Sequence, residues 1–257
     1  MHPQPTMSLL RRLPPGLPKK QALFLDGLRH ASDIAEFAYD RLCQTLTAVA
    51  SSKDPRPVDE KTFTSAFVDA WAIVDSVDRF RSLWQLLPGR IDPPEKPPQQ
   101  SFGELTKPIR DLRNVADHLA QRSDYVVSTG GTALGVLAWC TREANVEGVV
   151  ATCVLIPGTR NWQSVKFVNP ADDPLFVGPT AMIRLSAGEH VGDLSAVMPI
   201  LAARVVDLEA ALEQAFREGG VAGEQAGSDI FFALRGWLDG DKFHVPPNAA
   251  YECQLVK

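Results

Sequence analysis

The sequence predicts an α+β chain: an antiparallel helical bundle with a small antiparallel β-meander inserted before its last long helix. Two long stretches carry apolar residues at steps of three and four, which marks amphipathic helices. Beyond residue 124 the pattern changes to short β-branched runs bounded by Gly, Pro and Asn, which marks strands. With 257 residues, 45% hydrophobic and 22% charged, the chain is long and apolar enough to bury a core, and wholesale disorder is excluded.

Residues 1–20 hold five prolines and the basic residues Arg11, Arg12, Lys19 and Lys20 without an acid, so they read as a flexible basic arm. The first helix spans about 24–49, with Phe24, Leu28, Ala31, Ala35, Ala38, Leu42, Leu46 and Val49 on one face. The second spans about 62–87, with Phe63, Phe67, Ala70, Val74, Val77, Phe80, Trp84 and Leu87, and Pro88-Gly89 stops it. Two long helices joined by a short break should pack antiparallel. Five prolines between residues 88 and 100 make a stiff linker. Ser101 with Glu104 has capping-box spacing and opens a third helix to about 122. Its stripe is Phe102, Leu105, Ile109, Leu112, Ala116 and Leu119, and Pro108 should kink it.

Strands are expected at Tyr125–Ser128, Ala133–Thr141, Gly148–Leu155, Ser164–Val168 and Thr180–Ser186, giving a β insertion over about 124–186. A last helix follows at 194–217, with Asp193 or Ser195 as its cap. Residues 21–218 then form a single domain, and 219–257 a C-terminal extension in which Ile230–Leu238 fits helix or strand.

The charge sum of −5 argues against non-specific coating of nucleic acid, so any such contact must be a local site. No apolar run approaches the roughly 20 residues of a membrane span. Arg11-Arg12 is followed by Leu-Pro-Pro-Gly instead of an apolar core, so no signal peptide is expected and the predicted location is cytoplasmic. Cys43, Cys140, Cys153 and Cys253 lie far apart with no C-x-x-C pair, so no metal site and no cofactor is expected.

One segment has chemical character: Arg110-Asp111-Leu112-Arg113-Asn114-Val115-Ala116-Asp117-His118. Arg113-Asn114-x-x-x-His118 resembles the R-[N/D/H]-x-x-x-H signature of the HEPN superfamily, and the helical hairpin ahead of it fits. The resemblance covers about Phe24 to Arg122, with the helix from Leu194, and does not extend to the β segments. It implies an HEPN-like bundle and a metal-independent endoribonuclease of toxin or defence type. It also implies a homodimer through the motif helix, an RNA substrate and a neutralising protein partner. The alternative is a non-catalytic HEPN-like interaction or nucleotide-binding protein.

In the catalytic reading Arg113 holds the phosphate, His118 transfers protons and Asn114 orients the site, while Arg110 adds substrate contact from the same face. Those residue types suit the chemistry: guanidinium stays charged and grips phosphate through paired N–H groups. Imidazole titrates near neutrality. On an ideal helix Arg113 and His118 diverge by about 140°, so a second subunit or a loosened turn is needed to bring both to one phosphate. Two features favour the alternative: the net acidity of the chain, and Asp111 and Asp117, which place negative charge beside the motif. Arg113 and Asp117 also have the spacing of an ordinary surface ion pair.

Other candidates are structural. Thr129-Gly130-Gly131-Thr132-x-x-Gly135 lacks a phosphate-loop lysine and reads as a tight hairpin between strands. His30, His190 and His244 read as surface positions, Asp69, Asp75 and Asp78 as a solvated face of the second helix, and Trp71 and Trp84 as packing.

Overall fold

The computed structural model describes residues 8–14, 16–52, 58–89, 101–142, 149–158, 170, 178–219, 229–233, 237–239, 241–244 and 252–255. The expected strand Ser164–Val168 lies outside them. The chain is α+β and divides into two compact units, Leu23–Leu208 and a second composed of both ends of the chain. The boundary at 208/209 falls inside a helix. Among the described residues no helix is long and apolar enough to cross a membrane.

The larger unit begins with α1 (Lys19–Ser51) and α2 (Glu60–Gln85). Asp59 caps α2, its carboxylate accepting from the Thr62 N–H at 3.0 Å. A side chain on Gly27 would strike Leu83, and Arg41 pairs with Asp69. Fourteen residues onward along α1 is therefore fourteen residues back along α2, which makes the hairpin antiparallel as expected. Leu28, Ala35, Leu42 and Leu46 of α1, and Ala70, Val74, Val77 and Phe80 of α2, are buried as the periodicity predicts.

The expected third helix is three pieces: α3 (Phe102–Leu105), α4 (Lys107–Asp117) and, after a turn, α5 (Ser123–Ser128). Ser101 and Glu104 form the expected capping box. Pro108 breaks the helix instead of kinking it, because it has no N–H for the Glu104 carbonyl and its ring crowds that carbonyl. Thr106, fully buried at the break, donates its hydroxyl to the Phe102 carbonyl at 2.7 Å. The buried stripe of α4 is Ile109, Leu112 and Val115; Ala116 is exposed because the helix ends one residue later. Residues 125–128, expected as a strand from Val126 and Val127, are helical. Their N–H groups are taken by local carbonyls, as in Val126 to Arg122 and Thr129 to Tyr125, and only Val126 is buried.

The sheet is antiparallel, with strands β1 (Val136–Arg142), β2 (Val150–Leu155), β3 (Thr180–Ala187) and β4 (His190–Asp193) in the order β2-β1-β3-β4. It is not a simple meander, since β3 pairs with β1 on the side away from β2. The most apolar strand, β1, is buried along nearly its whole length and takes a central place. The glycine-rich segment 129–135 is not a hairpin between strands; it joins α5 to β1.

A bulge interrupts the β1–β3 pairing between Ala138 and Cys140, and Met182 sits there at φ 54°. The adjacent Ile183 N–H donates to Ser195 Oγ at 3.0 Å, and the Tyr39 hydroxyl donates to the same oxygen at 3.0 Å. Ser195 lies in the first turn of α6 (Leu194–Glu218), whose cap is Asp193, as the sequence predicts, accepting from the Ala196 N–H at 2.8 Å. One hydroxyl thus ties α1, β3 and α6. Ser195→Ala leaves two donors without an acceptor and should cost about 1–3 kcal/mol in urea unfolding. A loss below about 0.5 kcal/mol would show that the Ser195 bonds contribute little.

One turn along α1, burial pushes the Cys43 thiol up to about 11, which leaves it a poor nucleophile at neutral pH. Cys140 is buried and Cys153 half-buried, and all three are free thiols.

The smaller unit contains a short 3-10 turn, Leu9–Arg11, with Leu10 buried and the Ser8 hydroxyl on Glu209, so residues 8–14 of the expected arm are in part packed. It also holds the remainder of α6 and two antiparallel strand pairs. These are β5 (Ile230–Ala233) with β8 (Glu252–Leu255), and β6 (Trp237–Asp239) with β7 (Lys242–His244). The segment that fitted helix or strand is therefore strand.

Candidate functional site

Helix α4 places all four motif residues, and its wheel sends them to different surroundings. Ile109 and Leu112 face β4, where Gly192 leaves no room for a side chain: an added Cβ would lie 2.6 Å from Leu112 and 2.9 Å from Ile109. With that face buried, the opposite side of α4 carries Arg110, Arg113, Asn114 and Asp117.

Arg110 and Arg113, one turn apart, both reach toward α2. Arg110 donates to Asp78 Oδ2 at 2.7 Å, and Arg113 donates to the same oxygen at 3.1 Å. The Nε of Arg113 lies 3.0 Å from Asp75 and 3.9 Å from Asp117. The Asp78 side chain is 0% exposed, whereas those of Arg110 and Arg113 are 39% and 32% exposed. The other oxygen of Asp78, Oδ1, is buried without a hydrogen-bond partner among the described residues.

Burial by itself lowers the Arg113 pKa. The hydrogen bond donated to Asp78 and the charges of Asp75, Asp117 and Asp78 outweigh burial and hold it above the usual arginine value. Asp75 also pairs with Arg79 at 3.0 Å, so three carboxylates balance three guanidiniums and the cluster carries no net positive charge to attract a phosphate diester.

Asn114 and His118 stand apart from this network. Asn114 is half-buried, and its side chain forms no hydrogen bond among the described residues. His118 is the residue at which α4 ends, with φ −115° and ψ 23°, and it is exposed. The structure therefore brings Arg110 and Arg113 together on Asp78 and leaves Asn114 and His118 outside that cluster.

Asp78 and Asp69 correct the expectation of a solvated acidic face. Nine residues apart, they lie on opposite sides of α2 by the helical period. One points to α1 and Arg41, the other to α4 and its two arginines. A signal was present in the sequence: Asp78 falls within about 40° of Val74, inside the apolar stripe of α2, where a carboxylate requires a cationic partner.

Among the other described histidines, His30 and His244 match the expected surface character, whereas His190 is half-buried in a strand. His30 is half-exposed on α1, with Arg29 at 2.7 Å from its Nε2 and Asp26 at 3.6 Å. His190 pairs in β4 opposite Ala187, and His244 is exposed on β7. Trp71 donates its indole N–H to the Leu134 carbonyl at 3.0 Å, which ties α2 to the turn before β1.

The asymmetry within the motif is measurable. Arg113→Ala removes one of two cations from a buried carboxylate and should cost about 1–2 kcal/mol, the figure reduced for the partial exposure of the guanidinium. His118→Ala should change stability by less than about 0.5 kcal/mol. Urea midpoints of the two variants check this, and equal midpoints would contradict it.

The chain matches no known family model, no curated protein and no solved structure.

Proposed function

We propose that the chain is a non-catalytic HEPN-like interaction protein in which α4 presents a polar surface to a partner. The observation that carries this reading is the convergence of Arg110 and Arg113 on the buried oxygen of Asp78. A ribonuclease needs a guanidinium aimed at the phosphate and an imidazole within reach of the same group. Here the guanidiniums are held by carboxylates in a cluster with no net positive charge, and the imidazole lies past the helix end. The arginines then act as a clamp joining α4 to α2, and the side chains of Asn114 and His118, which form no hydrogen bond among the described residues, belong to the outer surface.

A metal-independent endoribonuclease of toxin or defence type is the second reading. It is favoured by the exposure of His118 and the unbonded amide of Asn114, both open to a matching helix from a second copy. Incubating the purified chain with single-stranded RNA in excess chelator separates the two. Intact RNA with the unmodified chain, Arg113→Ala and His118→Ala is the expected result. Cleavage by the unmodified chain that disappears in both variants would overturn the interaction reading.

A further inference from the structure

Two guanidinium N–H groups meeting at one oxygen atom is how a protein grips a phosphate-type oxyanion, and here that oxygen belongs to the chain itself. We propose that Arg110 and Arg113 form a latent oxyanion site held closed by Asp78, which occupies it as a built-in anion. The inference goes beyond the interaction reading, which needs the arginines only as a clamp.

Three observations carry it. First, Asp78 satisfies its surroundings only in part. Its Oδ2 accepts from both arginines, while Oδ1 is buried without a partner among the described residues. A carboxylate that only joined two helices would be expected to have both oxygens served, since a buried acceptor left unmade is costly.

Second, the guanidiniums are not sealed in. Both side chains are about a third exposed or more, and among the described residues the Arg110 guanidinium donates only to Asp78. Arg110 and Asn114 are four residues apart on α4, so the guanidinium N–H groups that Asp78 does not take and the Asn114 side-chain amide belong to one side of the helix.

Third, charge keeps the site shut. Asp75, Asp78 and Asp117 are balanced by Arg110, Arg113 and Arg79, which pairs with Asp75 at 3.0 Å, so the cluster offers an incoming phosphate no net attraction until one carboxylate is neutralised. Once Asp78 is neutral, three guanidiniums face two partly exposed carboxylates, a net charge of +1. Phosphate can then take the place that Asp78 holds.

The test uses the full chain with two probes, inorganic phosphate and a short fluorescently labelled single-stranded RNA at low salt. Asp78→Asn should bind at least one probe roughly tenfold or more tightly than the unmodified chain. Adding Arg110→Ala and Arg113→Ala should abolish that gain. Binding of both probes assigns the site to the phosphate group itself, and binding of RNA alone assigns it to a phosphodiester chain.

A folded Asp78→Asn protein that binds neither probe more tightly overturns the proposal. Should that variant fail to fold, Asp75→Asn decides, because Asp75 is half-exposed and its loss also removes one negative charge. A gain of about two- to fivefold that vanishes with Arg113→Ala supports the site, and unchanged binding overturns it. RNA cleavage by any of these proteins supports the oxyanion site and sinks the interaction reading, so the two ideas fail separately.

Discussion

Phe80→Ala is expected to lower the stability of the larger unit by about 3–5 kcal/mol, the largest effect of any single truncation considered. Phe80 is fully buried on α2, stacked on Trp84 at 6.2 Å between ring centroids and edge-on to Phe102 of α3 at 5.7 Å. Trp84 and Phe102 also meet edge-on at 6.5 Å. The Arg204 guanidinium of α6 lies 5.3 Å from the Trp84 ring and 5.6 Å from that of Phe102. Removing the central ring opens a cavity beneath three elements and breaks two aromatic contacts, each worth about 0.5–1.5 kcal/mol beyond burial. Phe80→Leu, which keeps most of the volume, should lose about 1–1.5 kcal/mol. Urea unfolding followed by tryptophan fluorescence measures both. A loss under about 1.5 kcal/mol for the alanine variant would mean that the cluster collapses around the gap, contrary to the close packing described.

Gly135→Ala is expected to cost about 2–4 kcal/mol, through two separate penalties. Gly135 has φ 79°, a conformation that an L side chain occupies only with strain. A Cβ there would also lie 2.4 Å from the Ser186 carbonyl oxygen, a backbone atom of the adjacent strand that cannot swing aside. Gly158 separates the two penalties. It has φ 101° but nothing within 4 Å of an added Cβ, so Gly158→Ala carries the strain alone and should lose only about 1 kcal/mol. Equal losses at the two positions would show that the contact with Ser186 relaxes freely.

Where one periodic signal governs a long segment, the sequence predicted the structure well. The apolar stripes of α1 and α2, the capping box at Ser101, the Asp193 cap and most of the sheet were legible because each depends on a local pattern of about four residues or on a clean stripe. Residues 102–128 were harder. There Pro108 decided between a kink and a break, and Val126-Val127 offered strand propensity to a segment whose hydrogen bonds are all local. The β2-β1-β3-β4 order was not legible either, since strand order depends on which strand can be buried on both faces.

At the candidate site the sequence located the helix and the residue types but not their partners. The pairing of Arg110 and Arg113 with Asp78 joins positions more than thirty residues apart, and only the packing of α4 on α2 brings them together. The local pair with Asp117, readable from its spacing, proves the longest of Arg113's contacts at 3.9 Å.

The register of α1 against α2 has an evolutionary consequence. Gly27 admits Leu83 at one level and Arg41 neutralises buried Asp69 four turns away, so both matches depend on equal residue counts along the two helices. Inserting or deleting one residue between those levels would turn everything beyond it by about 100° and present Asp69 with an apolar neighbour in place of its cation. Related chains should therefore differ in length between positions 52 and 58 and keep the helical spans free of gaps.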